Sequence, residues 1–223
     1  MSAMTHPTPG PLSAAVEPQG ARFWDRAAAK YAAKPVADQQ AYEETLARTR
    51  AYLRPTDRVL EIGAGTASTA LILAPEVADY TASDYAEGMV AIGQEKARAA
   101  GLDTLRVVQG QLGDAALGQG PFDAILAFNL LHLCDDPEAE IARAHALLAP
   151  GGHFITKTAC LSGAMALLRP VIGLMRLMGK APKVRFFSAA RYEAMLRDAG
   201  FEILEAENLP RKSPARFVVA RKA

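Results

Sequence analysis

The stretch Val59-Leu60-Glu61-Ile62-Gly63-Ala64-Gly65-Thr66-Ala67-Ser68-Thr69 constrains this chain most. An apolar run broken only by Glu61 leads straight into two glycines and then into a helix-compatible segment, 67–74, so the expected local structure is strand, tight turn, helix. Gly63 has access to backbone angles closed to other residues, and Gly65 lacks the side chain that would keep a ligand away from the backbone. The first turn of the following helix leaves N–H groups unpaired, and an anionic group can sit there. A glycine pair alone is a weak signal, so its meaning rests on what flanks it.

Downstream, 77–82 reads as a second strand ending in Ser83-Asp84-Tyr85. Asp84 falls about twenty residues after the glycines, the spacing of an acid that accepts hydrogen bonds from two ribose hydroxyls in a βαβ unit; a surface-turn aspartate is the alternative. A helix over 86–100 is closed by Gly101. Strands follow at 105–108 and at 122–128, the latter apolar apart from Asp123, as a buried parallel strand is. A helix over 137–148 and the turn Pro150-Gly151-Gly152 lead to a fifth strand, 153–158. Ser188 caps a helix over 189–199 that Gly200 ends, and 201–207 and 215–221 read as strands of a hairpin around Pro210. Strands alternating with helices predict an α/β fold with a doubly wound, mostly parallel sheet, its ligand beyond the carboxyl ends of the strands.

The sequence divides into a tail, residues 1–20, and a single domain, 21–223. The tail is rich in Pro, Ser, Thr and Ala without the apolar core of a secretion signal, and it reads as disordered. Helices are expected at 21–33, with Phe23, Trp24, Ala27, Ala28 and Tyr31 on one face, and at 38–53, stopping before Pro55. Both either pack on the sheet or bring Trp24 and Tyr31 over a ligand. A net charge of +1 gives no general pull toward nucleic acid. The two cysteines, Cys134 and Cys160, read as reduced thiols of a cytoplasmic protein, and Cys134 with His132 is too small a set for a metal site.

From Ile141 to Tyr192 there is no acidic residue, while Arg143, Lys157, Arg169, Arg176, Lys180, Lys183, Arg185 and Arg191 are all basic. Within it, 163–179 is almost wholly apolar, with Arg169, Gly173, Arg176 and Lys180 on one narrow stripe of a helical wheel and Pro170 dividing it into two helices. Residues 160–187 are expected to form an apolar and basic helical lid over the substrate. A helix touching anionic lipid and a buried pair in a homodimer are the alternatives.

Two cofactor classes use a glycine turn followed by a ribose acid. A nicotinamide or flavin site wants Gly or Ala where this chain has Ser68, and an apolar residue where it has Glu61. At this point the chain resembles the class I S-adenosylmethionine-dependent methyltransferases, over roughly residues 55–207. The resemblance rests on Val59 to Thr66, on Ser83-Asp84-Tyr85-Ala86-Glu87-Gly88-Met89, on Phe122-Asp123-Ala124-Ile125 leading to Asn129-Leu130-Leu131-His132, and on Leu147-Leu148-Ala149-Pro150-Gly151-Gly152, in that order. It implies a seven-stranded sheet whose last strand is antiparallel, with S-adenosyl-L-methionine as cofactor and S-adenosyl-L-homocysteine as product.

By position, the resemblance implies that Glu61, Gly63, Ala64 and Gly65 surround the methionine and ribose end, that Asp84 holds the ribose hydroxyls, and that Tyr85 and Met89 flank the adenine. Asn129 and Leu130 would meet the methionine amino group, and Tyr31 its carboxylate. Gln111, followed by Leu112, stands where many members carry an acid for the adenine amino group. The third family glycine is Ala67, a change a helix start tolerates.

Methyl transfer from a sulfonium needs alignment and exclusion of water, not a metal or a covalent nucleophile. If the acceptor must lose a proton, His132 is the candidate catalytic base, and a packed or helix-capping histidine is the alternative. The expected acceptor is a small lipophilic molecule against Met165, Leu168, Ile172, Leu174, Met175, Met178, Phe186 and Phe187, with Arg169 and Arg176 meeting a phosphate or carboxylate on it. Other readings are a methyltransferase that takes a lipid or quinone from an anionic membrane surface, and a nicotinamide-dependent oxidoreductase or silent nucleotide-binding protein.

Overall fold

A computed structural model describes residues 20–223, so the expected disordered tail lies outside the described residues except for Gly20. The strands are β1 (Arg58–Ile62), β2 (Asp79–Asp84), β3 (Leu105–Gln109), β4 (Phe122–Phe128), β5 (Leu148–Ala159), β6 (Phe201–Asn208) and β7 (Ala215–Lys222), in one sheet of order β3-β2-β1-β4-β5-β7-β6. β1 to β5 pair in parallel, and β7 runs antiparallel to both β5 and β6 between them. The chain leaves β1 toward β2 and β3 on one side and returns to β4 on the other. The connections after β1 and β4 therefore diverge, and a crevice opens between them at the carboxyl edge.

Alternation along the strands feeds two cores. On one face Val59, Tyr80, Ala82, Leu126, Ile155 and Phe217 pack with Leu46 of α2 (Gln39–Arg50), Ala70 and Leu73 of α3 (Ser68–Leu73), and Val90 of α4 (Glu87–Ala100). On the other, Leu60, Ile62, Phe122, Ile125, Phe154 and Val218 meet Ile141 of α5 (Pro137–Leu147) and Tyr192, Met195 and Leu196 of α7 (Ala189–Asp198). Each fully buried large side chain contributes roughly 1.5–3 kcal/mol of burial energy. The sheet is thus sealed on both faces, and only its edges remain for chemistry.

A further helix, α1 (Ala21–Ala32), lies across the start of α4, where Ala28, Ala86 and Met89 form a small core beneath Trp24 and Tyr85. Gly88 permits this approach: a Cβ there would stand 3.3 Å from both the Ala28 Cβ and the Asp25 carbonyl oxygen. The Gly88 N–H donates to Asp25 Oδ1 at 2.9 Å. Asp38, Asp136 and Ser188 cap α2, α5 and α7, each accepting from a backbone N–H three residues on.

Element boundaries differ from expectation where non-local bonds intervene. β2 starts at Asp79 rather than residue 77 because the Ala78 and Asp79 N–H groups donate to the Asp57 carbonyl. β5 starts at Leu148, which pairs with Phe122, and a register shift before Ala124 places Pro150-Gly151-Gly152 inside the strand rather than ahead of it.

Between β5 and α7 the chain forms a short 3-10 stretch, Gly163–Leu168, and then α6 (Arg169–Leu177), with Pro170 in its first turn, where a missing N–H costs nothing. α6 turns its apolar face outward: Val171 is 55% exposed, Leu174 59% and Leu177 87%. Arg169 lies over the Phe186 ring, 4.9 Å from its centroid. The expected lid does not bury its apolar side chains: no residue of α6 is buried, and its arginines are exposed as well. Among the described residues no helix is long and apolar enough to cross a membrane.

Candidate active site

The loop after β1 is held open by left-handed backbone at Gly63 (φ 64), Gly65 (φ 55) and Ala67 (φ 58). The Ala64 N–H donates to the Ser83 carbonyl at 2.9 Å, which fastens the loop to the end of β2. A Cβ on Gly63 would stand 2.6 Å from Leu130 Cδ1, and one on Gly65 would stand 3.7 Å from Tyr31 Cε1. The loop is therefore overlain by Leu130 from the β4 side and by Tyr31 from α1. Asn129 sets up the first contact: its φ of 57 turns the chain out of β4, and its N–H donates to the Lys157 carbonyl.

Asp84 joins the glycine loop to α4. Its Oδ2 accepts from the Gly65 N–H and its Oδ1 from the Ala86 N–H, both at 2.9 Å. Burial raises its pKa, opposed by the backbone N–H donors. Glu61 is only 3% exposed and accepts from the Tyr80 hydroxyl at 2.8 Å. Burial pushes its carboxyl up to about 7, the Tyr80 bond pulls it down, and the Asp84 charge adds to the rise. Two acids thus line one crevice with different electrostatics: Asp84 is fixed by amide dipoles, and Glu61 is poised near neutrality.

The crevice holds three adjoining cavities that share Gly63. The central one, of about 90 Å³, is bordered by Gly65, Asp84, Tyr85, Met89, Asn129, Leu130, Trp24 and Tyr31. Toward β3 and α5 lies one of about 270 Å³, bordered by Tyr85, Gln111, Leu112, Leu130 and Leu133, with Arg143 and Lys183 also in its wall. Toward α1 and α2 lies one of about 330 Å³, bordered by Tyr31, Tyr42, Thr45, Glu61, Ala64, Ser68, Asn129 and Lys157. Each residue that the sequence assigned to cofactor contact borders one of these spaces. Trp24 stands edge-on to Tyr31, with centroids 6.1 Å apart at 89°, so that face of α1 does border the crevice.

Lys157 is a wall residue that sequence reasoning did not single out. It sits near the end of β5, donates to the Thr45 hydroxyl at 3.0 Å, and its pKa is lowered chiefly by burial. The one available signal was its position at the carboxyl end of a parallel strand.

His132 is not brought to the crevice and borders none of the three cavities. Its Nδ1 lies 3.0 Å from the Thr158 hydroxyl, which in turn accepts from the His132 N–H at 3.1 Å, and the Ala159 N–H approaches Nδ1 at 3.4 Å. These partners make Nδ1 an acceptor and leave the proton on Nε2. Burial pushes the imidazole down to about 4. A neutral ring with its basic nitrogen engaged ties the loop after β4 to β5 and is badly placed to act as a base. The Gln111 side chain is exposed, and its backbone N–H is taken by Asp114 Oδ2 at 2.8 Å. Arg169 and Arg176, expected to meet the acceptor, border none of these cavities, and neither do Met165, Leu168, Ile172, Leu174, Met175, Met178, Phe186 and Phe187.

A doubly wound sheet with a reversed last strand, a glycine turn after β1 and an acid ending β2 together define the class I S-adenosylmethionine-dependent methyltransferases. The chain belongs to the methyltransferase domain family, whose model matches residues 36–206. It is 29% identical over 157 residues to the ubiquinone biosynthesis O-methyltransferase of Xanthomonas axonopodis pv. citri, covering 68% of this chain and 65% of that protein. It is 27% identical over 168 residues to a highly reducing polyketide synthase of Gibberella moniliformis, covering 69% of this chain and 6% of the synthase. The chain spans 6%, 24% and 7% of the length of three curated relatives it matches. The structure of magnesium protoporphyrin IX methyltransferase from Synechocystis PCC 6803 with bound S-adenosylhomocysteine superposes with a TM-score of 0.66 at 22% identity, covering 93% of this chain and 96% of that one. The crevice suits S-adenosylmethionine: open backbone at Gly63 and Gly65, a carboxylate in the middle, and space on either side.

Proposed function

We propose that the protein transfers a methyl group by in-line displacement to a small, largely lipophilic acceptor that enters the cavity between α2 and β5. The arrangement that carries this reading is the three-part crevice with Asp84 at its centre. When bound, S-adenosylmethionine supplies an electrophilic methyl carbon on an already activated sulfonium. Asp84 accepts the ribose hydroxyls, Tyr85, Met89, Gln111 and Leu112 border the adenine, and Glu61, Gly63, Ala64 and Gly65 border the ribose and methionine end. Asn129 and Leu130 meet the amino group, and Tyr31 meets the carboxylate. Trp24, Tyr31 and Leu133 cover the crevice and exclude water, which serves orientation and desolvation, the two effects this reaction needs.

Pro35, Val36, Leu46 and Phe128 give the acceptor cavity an apolar wall, and Lys157 and Lys34 supply cations there in place of Arg169 and Arg176. A half-buried ammonium at Lys157 favours the ionised form of an acceptor oxygen, so a phenol-like group that gives its proton to solvent before the crevice closes reacts as the phenolate without His132 as base. The ubiquinone O-methyltransferase relative supports an acceptor of this kind. In this reading the enzyme is cytoplasmic, a monomer or homodimer, and acts without nucleic acid.

Calorimetry with S-adenosylmethionine, S-adenosylhomocysteine and NADH tests the cofactor half, with Asp84→Ala as control. Micromolar binding of both adenosyl compounds, abolished by Asp84→Ala, is expected; binding of NADH alone overturns the reading. Methyl transfer to a panel of phenols and quinols tests the acceptor half. Lys157→Met is expected to raise the pH at which an active phenol turns over, and an unmoved pH profile removes Lys157 from the acceptor site.

A further inference from the structure

The outward face of α6 is an apolar surface that the fold leaves uncovered. Val171, Leu174, Met175 and Met178 lie within one arc of the helix and are 55%, 59%, 37% and 51% exposed. Leu167, at 79%, extends the surface into the preceding turn. Isolated apolar side chains on a surface need no explanation, but a contiguous group along one arc of an exposed helix does. Its surroundings are cationic. Arg169, Arg176 and Lys180 occupy the opposite arc of the same segment and are exposed. Arg26 of α1 comes alongside, its Nη2 standing 3.8 Å from where a Cβ on Gly179 would lie, and Arg22 is exposed one turn earlier on α1. No acidic residue occurs anywhere from Ile141 to Tyr192, in a chain whose net charge is only +1.

We propose that this face is a docking surface for an anionic lipid bilayer, with α6 lying in the plane of the interface. The nine residues of α6 make a helix roughly 14 Å long, far short of a membrane span, so the geometry that buries its apolar arc is parallel to the surface. Val171, Leu174 and Met178 then enter the boundary between headgroups and acyl chains, while Lys180, just past the helix end, and Arg26 beside it meet lipid phosphates at the flank. A second copy of the chain fits less well. A two-fold contact sets the same patch against itself, and here that brings one cationic rim against another. The inference does not depend on methyl transfer, since α6 borders none of the crevice cavities.

The test is sedimentation of the full chain with vesicles of phosphatidylcholine alone and of phosphatidylcholine mixed with phosphatidylglycerol. At least roughly tenfold stronger binding to the mixed vesicles, reversed by high salt, is expected. The double variant Leu174→Ser/Met178→Ser is expected to lose that binding roughly tenfold or more while keeping its thermal unfolding midpoint. The pair Arg26→Gln/Lys180→Gln is expected to weaken it and to flatten its salt dependence. Equal or absent binding to the two vesicle types overturns the proposal, as does full binding by Leu174→Ser/Met178→Ser. Equilibrium sedimentation supplies a further arm: a wild-type dimer that this double variant dissociates assigns the face to a second copy and overturns the lipid assignment.

Discussion

Glu61 and Leu174 are each placed against the ordinary preference of their side chain. The acid is 3% exposed at the end of β1, and the leucine is 59% exposed on α6. Around Glu61 the cost of burial is offset locally by the Tyr80 hydroxyl, and the neighbouring loop is fastened by Asp84 to two backbone N–H groups. Around Leu174 nothing within the described residues offsets the exposure. A misplaced group held by a network is pre-organised for a ligand that enters the protein; one left unsupported is completed only by something outside it.

The largest effect that would break this contrast is at Asp84. Asp84→Ala leaves the Gly65 and Ala86 N–H groups without their acceptor, and is expected to weaken S-adenosylhomocysteine at least roughly a hundredfold, about 3 kcal/mol, by calorimetry. Affinity within tenfold of wild type would show that the crevice is not organised around this carboxylate.

Two buried groups make the same contrast visible through pH. Glu61, at about 7 against an ordinary 4.5, holds in the folded state a proton that the unfolded chain gives up, so its contribution to stability falls as pH rises from 4.5 to 7. His132, at about 4 against 6.5, refuses in the folded state a proton that the unfolded chain takes, so its contribution rises with pH across 4 to 6.5. Each displacement corresponds to about 3 kcal/mol, with opposite signs over overlapping ranges, and the wild-type urea-unfolding stability is expected to change little between pH 5 and about 6.5 from these two groups. Glu61→Gln should expose the rising slope and His132→Asn the falling one. Parallel profiles for the two variants would remove one of these burials from the account.

Smaller effects separate strain from exposure. Ala67 sits at φ 58, fully buried, where the family resemblance leads one to expect glycine, and a Cβ on Gly93 of α4 would stand 3.1 Å from its own Cβ. Ala67→Gly relieves the left-handed strain and loses one buried methyl, for an expected net gain of about 0.5 kcal/mol in urea unfolding. Leu174→Ser/Met178→Ser removes larger apolar groups yet should shift stability by less than about 0.5 kcal/mol, because neither side chain is buried. A loss of about 2 kcal/mol there would mean that α6 packs against the body in solution.

Residues Val59 to Thr69, the acid at Asp84 and the strand at Phe122 to Phe128 were legible because each is a local pattern: a buried apolar run, a glycine turn, a cap, a spacing set by one βαβ unit. The same locality made the crevice readable, since parallel strands deliver their carboxyl-terminal residues to one edge whatever the details of packing. By itself, then, the sequence determined the order of elements and the mostly parallel, doubly wound sheet; the reversed last strand and most of the cofactor-contact residues followed from the family resemblance, and those residues do border the crevice. What only the tertiary structure decided were directions. The Thr158 hydroxyl and the Ala159 N–H, on a neighbouring strand, engage His132 Nδ1 outside the crevice; the Asp57 carbonyl moved the start of β2; the end of β5 put Lys157 into the wall of the cavity beside α2. The periodicity of 163–179 showed that α6 has a basic and an apolar face, but not which one meets the body. In the folded chain no residue of α6 is buried, so both faces stay exposed, and Arg169 lies over the ring of Phe186, a contact that local periodicity does not encode.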